Sequence, residues 1–146
     1  MSDNLVVCVE CGAINRVPID KPAASAKCGS CHGALFEGHP KDVTAAVLDR
    51  QIAKGTLPVV VDVWAPWCGP CQFMAPEYEK AARALEPRAR FLKLNSDNEQ
   101  QFSARQGIRS IPTMILFKDG KEADRVSGAM SAVQIDRWVK ERIAQR

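Results

Sequence analysis

Beyond residue 42 the apolar positions switch between unbroken runs and helical spacing. Pro58-Val59-Val60-Val61-Asp62-Val63-Trp64 is a nearly continuous β-branched run, as a strand covered on both faces requires. Phe91–Asn95 reads as a second strand, and Thr113–Phe117 and Ala123–Ser127 as two more, joined at Asp119-Gly120, a hairpin-turn pair. The stretches between them have helical spacing. One, capped by Asp42 or Thr44, runs to about Lys54 and stops at Gly55. A second covers about 68–85, with Pro76 expected to kink it near Gln72, and a short third spans about 98–106. Ser131 caps a last amphipathic helix carrying Val133, Ile135, Trp138, Val139 and Ile143, which turns basic toward its end. Strand and helix in alternation, closed by a hairpin and a helix, predict an α/β fold with a mixed central sheet flanked by helices.

The first 36 residues follow no such pattern. Their bulky apolar residues are mainly Leu5, Val6, Val7, Val9, Ile14, Val17, Ile19, Leu35 and Phe36. So short a segment rarely holds a fold without a metal or disulfides. Glu37-Gly38-His39-Pro40-Lys41 is a polar connector with Gly38 and Pro40 as breakers. The predicted organisation is a small unit over 1–36, a connector over 37–41 and an α/β domain over 42–146.

Composition narrows the class. With 46% apolar and 25% charged residues, the 146-residue chain has the make-up of a soluble globular protein. No apolar run nears the roughly 18 residues of a membrane span. The opening Met1-Ser2-Asp3-Asn4 has neither a basic nor an apolar stretch, so no export signal is expected and a cytoplasmic location is. The net charge of +3 is mild and the basic residues are scattered, so no nucleic-acid partner is indicated.

The six cysteines change the picture, because all fall in Cys-x-x-Cys pairs: Cys8/Cys11, Cys28/Cys31 and Cys68/Cys71. In a reducing compartment such pairs are metal ligands or redox catalysts more often than structural staples. The first two pairs, separated by residues 12–27, have the spacing of a four-cysteine zinc site. Each is followed by glycine at one cysteine (Cys11-Gly12, Cys28-Gly29), as a tight turn needs. Four thiolates would close a tetrahedral shell with no open position, which makes the expected zinc structural. Two disulfides or a second redox relay are the competing readings. His32 and His39 are expected to face solvent. Arg16, Lys21 and Lys27 are balanced by Asp3, Glu10 and Asp20, and a zinc held by four thiolates adds negative charge, so this unit offers phosphates little.

The third pair lies where a strand gives way to a helix. There, unpaired backbone N–H groups and the positive end of the helix dipole favour a Cys68 thiolate, and Cys71 lies one turn on, within bonding reach. Pro70 suits the first helical turn and Gly69 leaves the sulfur unshielded. Spacing alone fits a metal knuckle or two buried cysteines equally well. Three neighbours favour redox chemistry. Asp62 is a carboxylate in a buried run, where desolvation raises its pKa toward that of a usable proton acceptor, and Lys93 on the adjacent strand could pair with it. Ile111-Pro112-Thr113 places a proline at a strand start, a common site of a cis bond, with the Ile111 backbone free for an incoming chain. Trp67, Pro70, Ile111, Gly128 and Ala129 could form an apolar peptide-docking rim around the sulfur.

Trp64-Ala65-Pro66-Trp67-Cys68-Gly69-Pro70-Cys71, Lys93-Leu94-Asn95, Gly107-Ile108-Arg109, Ile111-Pro112-Thr113 and Phe117-Lys118-Asp119-Gly120-Lys121 resemble the thioredoxin family in order and spacing, over about residues 40–146. That resemblance implies a thioredoxin fold, a buried Asp62 and a cis Pro112. It implies a protein-disulfide reductase re-reduced by an NADPH-dependent thioredoxin reductase, with no organic cofactor. Gly69-Pro70 is the dipeptide of the reducing members, while Arg109-Ser110 departs from the commoner Arg-Gly. With the N-terminal knuckles included, the whole chain resembles the bacterial, zinc-carrying, cytoplasmic thioredoxin-2 group. The alternatives are a redox-gated binding module, or a chaperone platform, bearing an N-terminal zinc ribbon.

Overall fold

The computed structural model describes residues 3–18, 20 and 22–144; Met1, Ser2, Ile19, Lys21, Gln145 and Arg146 lie outside them. A short hairpin of β1 (Asn4–Val7) and β2 (Ile14–Val17) opens the chain, followed by a 3-10 turn at Ala23–Ser25. The remaining elements are β3 (Lys41–Asp42), α1 (Ala45–Lys54), β4 (Val59–Trp64), α2 (Gly69–Leu85), β5 (Arg90–Asn95), α3 (Gln100–Arg105), β6 (Thr113–Lys118), β7 (Lys121–Ser127) and α4 (Ala132–Ala144). Five strands form one sheet in the order β3-β5-β4-β6-β7. β3, β5 and β4 run parallel, and β6 and β7 are antiparallel to their neighbours.

Period-two alternation along β4 sorts the core into two layers. Val60 packs with Met114, Leu116 and Phe91 against Met74, Tyr78 and Leu85 of α2 and Ile135, Trp138 and Val139 of α4. Val59, Val61 and Val63 pack with Leu92, Leu94 and Ile115 against Leu48 of α1 and Phe102 of α3. Both sheet faces are therefore covered, which is why β4 reads as an apolar run interrupted only by Asp62. Asp62 falls in register with Lys93 on one side and Met114 on the other, so it shares the α2 face with Val60. Among the described residues no helix is long and apolar enough to cross a membrane.

The predicted caps resolve cleanly. Thr44 caps α1, its Oγ1 accepting from Val47 N at 3.2 Å, whereas Asp42 lies in β3 and pairs with Lys93 on β5. Ser131 Oγ accepts from Gln134 N and Gln134 Oε1 accepts from Ser131 N, a reciprocal capping box that starts α4. The third helix is shorter than expected and begins after Glu99, whose carboxylate instead accepts from Ala45 N of α1 at 2.9 Å. Asp119 and Gly120 both have positive φ, as a tight two-residue hairpin turn requires. β7 therefore starts at Lys121, and the register shift beside Leu116/Phe117 leaves Ala123 unpaired, so its apolar pattern begins late. Val133, expected on the buried stripe of α4, is 68% exposed; at 100° per residue it lies opposite Ile135.

The N-terminal unit packs against the sheet rather than standing apart. Its own core of Val6, Val17, Leu35 and Phe36 meets Leu57 from the main domain. Thr56 N donates to Leu5 O at 3.0 Å and Gln51 Nε2 to Val7 O at 2.9 Å. Arg90, 4% exposed at the head of β5, donates to the carbonyls of Leu35 and Val7.

Candidate redox centre and four-cysteine cluster

Cys68 and Cys71 are joined as a disulfide, with Cα atoms 5.2 Å apart. Cys68 is the N-cap of α2 and its sulfur accepts from Cys71 N at 3.1 Å. A thiolate at Cys68 thus meets the positive end of a 17-residue helix together with a directed N–H donor, the setting that lowers a thiol pKa. In the disulfide state both cysteines are buried, packed with Ala65, Trp64 and Ile111. Gly69 and Pro70 are exposed on the first turn, and a Cβ at Gly69 would meet nothing within 4 Å.

The other expected residues gather around this helix end. The Ile111–Pro112 bond is cis, and the Ile111 carbonyl lies 3.8 Å from Cys68 Sγ. Gly128, with φ +99°, places its N–H 2.9 Å from the Pro112 carbonyl, so the loop holding Gly128 and Ala129 is tied to the proline loop. The left-handed φ demands glycine there. Trp67 is 70% exposed, and its indole N–H donates to the Asp97 carboxylate at 3.1 Å. An open groove of about 290 Å³ runs from Trp67 past Ser96 and Gln100 to Arg109 and Ile111.

Asp62 is 1% exposed, and its Oδ1 has no hydrogen-bond partner among the described residues. Burial pushes its carboxyl up to about 7, against the pull of the Lys93 charge and with a smaller push from Asp42. Lys93 faces Asp62 in register but forms no ion pair with it. Its ammonium sits instead over the Trp64 ring, 4.4 Å from the centroid. Asp97 was not singled out in the sequence, and Asp42 only as a helix cap, because each becomes informative here through the tryptophan that it holds.

Cys8, Cys11, Cys28 and Cys31 converge, their four sulfurs within 4.8 Å of one another. Cys8 Sγ and Cys31 Sγ are 3.7 Å apart and Cys11 Sγ and Cys28 Sγ 3.6 Å. A tetrahedral zinc with Zn–S bonds of about 2.3 Å sets its sulfurs about 3.8 Å apart, so the cluster has the size that zinc needs. The two knuckles are built alike: Cys8 N bonds Ala13 O and Gly12 N bonds Cys8 O, as Cys28 N bonds Gly33 O and His32 N bonds Cys28 O. The residue after the second cysteine of each pair has positive φ, glycine in one knuckle and His32 in the other. Gly29, expected to serve the second turn, is therefore not its left-handed residue.

Donors are already turned toward the sulfurs. The N–H groups of Cys31 and Ser30, then the Asn15 amide, pull the Cys28 thiol down to about 6. At Cys31 the Gly33 N–H also lowers the pKa, but the nearby sulfur of Cys8, burial, Cys11 and Cys28 outweigh it and push the thiol up to about 11. Four crowded thiols cannot all ionise without a cation to balance them, and a divalent metal supplies one. His32 is exposed, and His39 pairs with Glu37 at 3.0 Å, so neither belongs to the cluster.

The sequence profile described as Thioredoxin matches residues 39–141, and the sheet order and cysteine site lie within that span. The chain belongs to the thioredoxin family. A second profile, described as Thioredoxin 2, N-terminal, matches residues 7–33 and contains all four clustered cysteines. Thioredoxin C-3 of Corynebacterium nephridii is 37% identical over 142 residues, 97% of either chain. Thioredoxin 1 of Synechococcus elongatus is 41% identical over 88 residues, covering 60% of this chain and 82% of that one. Among solved structures, chloroplastic thioredoxin z superposes with a TM-score of 0.68 at 29% identity, covering 73% of this chain and 96% of that one. A thioredoxin from Halobacterium salinarum gives 0.65 at 28%, covering 73% and 92%. The shared thioredoxin domain and its Cys68–Cys71 pair make the chain a thiol–disulfide oxidoreductase.

Proposed function

We propose that this thioredoxin reduces protein disulfides, with Cys68 as nucleophile, Cys71 as resolving thiol and Asp62 as proton acceptor. Cys68 thiolate attacks one sulfur of the substrate disulfide; an S–S bond to substrate forms, the substrate's own bond breaks, and one substrate thiolate leaves. Cys71 gives its proton to Asp62 through a water and attacks Cys68 Sγ. The second substrate thiolate leaves, and the two electrons it carries are balanced by the new Cys68–Cys71 disulfide. Trp67, Gly69, Pro70, Ile111, Pro112, Gly128 and Ala129 form the substrate rim. Lys93 tunes Asp62 by its charge. An NADPH-dependent thioredoxin reductase returns the electrons.

The observation that carries this reading is the position of Cys68 as N-cap of α2, its sulfur beside the Cys71 N–H and the Ile111 carbonyl. The four N-terminal cysteines hold one structural zinc in a closed shell, which a sulfur spacing of 3.6–3.7 Å supports. Thiols that must remain reduced to bind metal fit a reducing compartment such as the cytoplasm. Insulin reduction by dithiothreitol tests the proposal. The wild-type chain accelerates it and Cys68→Ser does not; equal rates for the two would overturn it.

A further inference from the structure

Asp42 on β3, Lys93 on β5 and Asp62 on β4 are partners in register across three parallel strands. Opposed residues of parallel neighbours project to the same face, and Trp64, two positions beyond Asp62, joins them there. The lysine thus belongs to a row with a carboxylate on either side, yet among the described residues it pairs with neither. Trp64 takes up the other two members of this row. Its ring face carries the Lys93 ammonium at 4.4 Å, and its Nε1–H donates to Asp42 Oδ1 at 2.8 Å. An open cleft of about 390 Å³, lined by Asp42, Val43, Thr44, Trp64 and Asn95, flanks the indole. The ring therefore has space to swing outward once that hydrogen bond is cut.

We propose that Asp42 is a positioning residue which, through Trp64, holds the Lys93 ammonium away from the Asp62 carboxylate. This rests on the reading of Asp62 as proton acceptor. A cation in contact with a carboxylate favours its ionised form and typically lowers its pKa by 1–3 units. A lysine released from the ring reaches Asp62 on its flexible stem and makes it a weaker base toward Cys71. Held on the ring, the ammonium is stabilised by the quadrupole and leaves Asp62 proton affinity high. The other groups facing Asp62 do not perform this task. On α2, Tyr78 donates its hydroxyl to the Val60 and Leu92 carbonyls, and Cys68 and Cys71 are the reacting thiols. β6 and α4 present Met114, Ile135 and Trp138 to this face.

The test follows the Asp62 carboxyl by ¹³C titration in the reduced full-length chain, beside the pH dependence of mixed-disulfide resolution. Asp42→Asn keeps an acceptor oxygen for Trp64 and removes the charge; Asp42→Ala removes both. The expected result is an Asp62 midpoint about one unit lower in Asp42→Ala than in Asp42→Asn. Trp64→Phe, which keeps a ring but loses the N–H, should behave like Asp42→Ala. In a Lys93→Met background the two Asp42 variants should coincide. Equal midpoints for Asp42→Ala and Asp42→Asn with Lys93 present would overturn the proposal, leaving Asp42 a through-space charge. Asp62→Asn with an unchanged pH–rate profile would instead sink the role of Asp62 in turnover, and the carboxyl titration in the Asp42 variants would still decide the positioning.

Discussion

The Arg90 guanidinium donates to the Val7 carbonyl at 3.0 Å, across the seam between the cysteine-rich unit and the central sheet. It also donates to Leu35 O and lies over the Phe36 ring, 4.3 Å from its centroid. Val7 directly precedes Cys8, and its carbonyl also receives Gln51 of α1. The knuckles are thereby fixed to β5 and α1 by buried polar bonds, where an unpaired partner is costly. The seam is a built contact.

Arg90→Met keeps the stem and removes the fork, leaving the Leu35 carbonyl without its donor. We expect a loss of about 1–3 kcal/mol in urea unfolding, together with faster proteolysis within residues 1–36. Unchanged stability and unchanged proteolysis would show that the seam contributes nothing.

Much of this was legible in the sequence because long apolar runs and caps are local signals. Val59–Trp64, the Thr44 and Ser131 caps and all three Cys-x-x-Cys pairs lie in the structure where residue pattern and spacing put them. The two-residue strand at Lys41–Asp42 was not, since its pairing is wholly with distant β5. Arg90 carries no local signal of its role; its burial depends on a unit more than fifty residues away in sequence. Lys93 could be placed on the strand beside Asp62, within reach of pairing with it, and the register does bring the two face to face. The competing attraction of the Trp64 ring is a tertiary fact.

Asp62→Asn should change stability in a pH-dependent way. The unfolded carboxyl ionises near 3.8, while the native one keeps its proton to about 7. The native state therefore binds more protons between these values, and stability present below about pH 4 is lost as pH rises through 7. At 1.36 kcal/mol per unit the cost at pH 8 is about 4 kcal/mol. Asparagine cannot ionise, so urea unfolding should give a gain of about 2–4 kcal/mol at pH 8 and little at pH 4. An equal gain at both pH values would contradict a buried, titrating Asp62.

The two active-site thiols should be separable by trapping. Cys68 sits at the N-cap, where a helix end favours a thiolate, and Cys71 lies within the first turn of α2. Alkylation at neutral pH should label Cys68 first. Cys71→Ser should accumulate mixed disulfides with protein substrates, and Cys68→Ser none, as read by mass spectrometry of the adducts. Preferential labelling of Cys71 would reverse the assignment.

Among the described residues Trp67 is the most exposed of the large apolar side chains, yet its indole is anchored by Asp97 and forms one end of a groove reaching Ile111. Such a held, exposed aromatic contributes contact area at low entropic cost. Trp67→Ala should raise KM for insulin about tenfold, equivalent to ~1.4 kcal/mol, while leaving reduction of a small aromatic disulfide nearly unchanged. Equal losses for both substrates would place Trp67 in the chemistry rather than in docking.

Zinc removal joins the two units of the chain. The sulfur cage matches one tetrahedral ion, and such binding supplies about 10–16 kcal/mol in comparable peptides, far more than the small core of Val6, Val17, Leu35 and Phe36 can. Metal analysis should therefore find one zinc per chain. Chelation should melt the knuckles and release the Arg90 and Gln51 contacts, so hydrogen exchange should quicken at residues 4–17 and at the head of β5. The thermal midpoint of the whole chain should also fall, because Leu57 and Arg90 lose their cover. Cys68, Cys71, Asp62 and Pro112 belong to the other end of the sheet and to α2, so more than half of insulin reduction should survive. Replacing Cys8 and Cys11 with Ser should reproduce both effects. Activity lost in full while β4 and α2 keep their exchange protection would show that the ribbon takes part in the reaction.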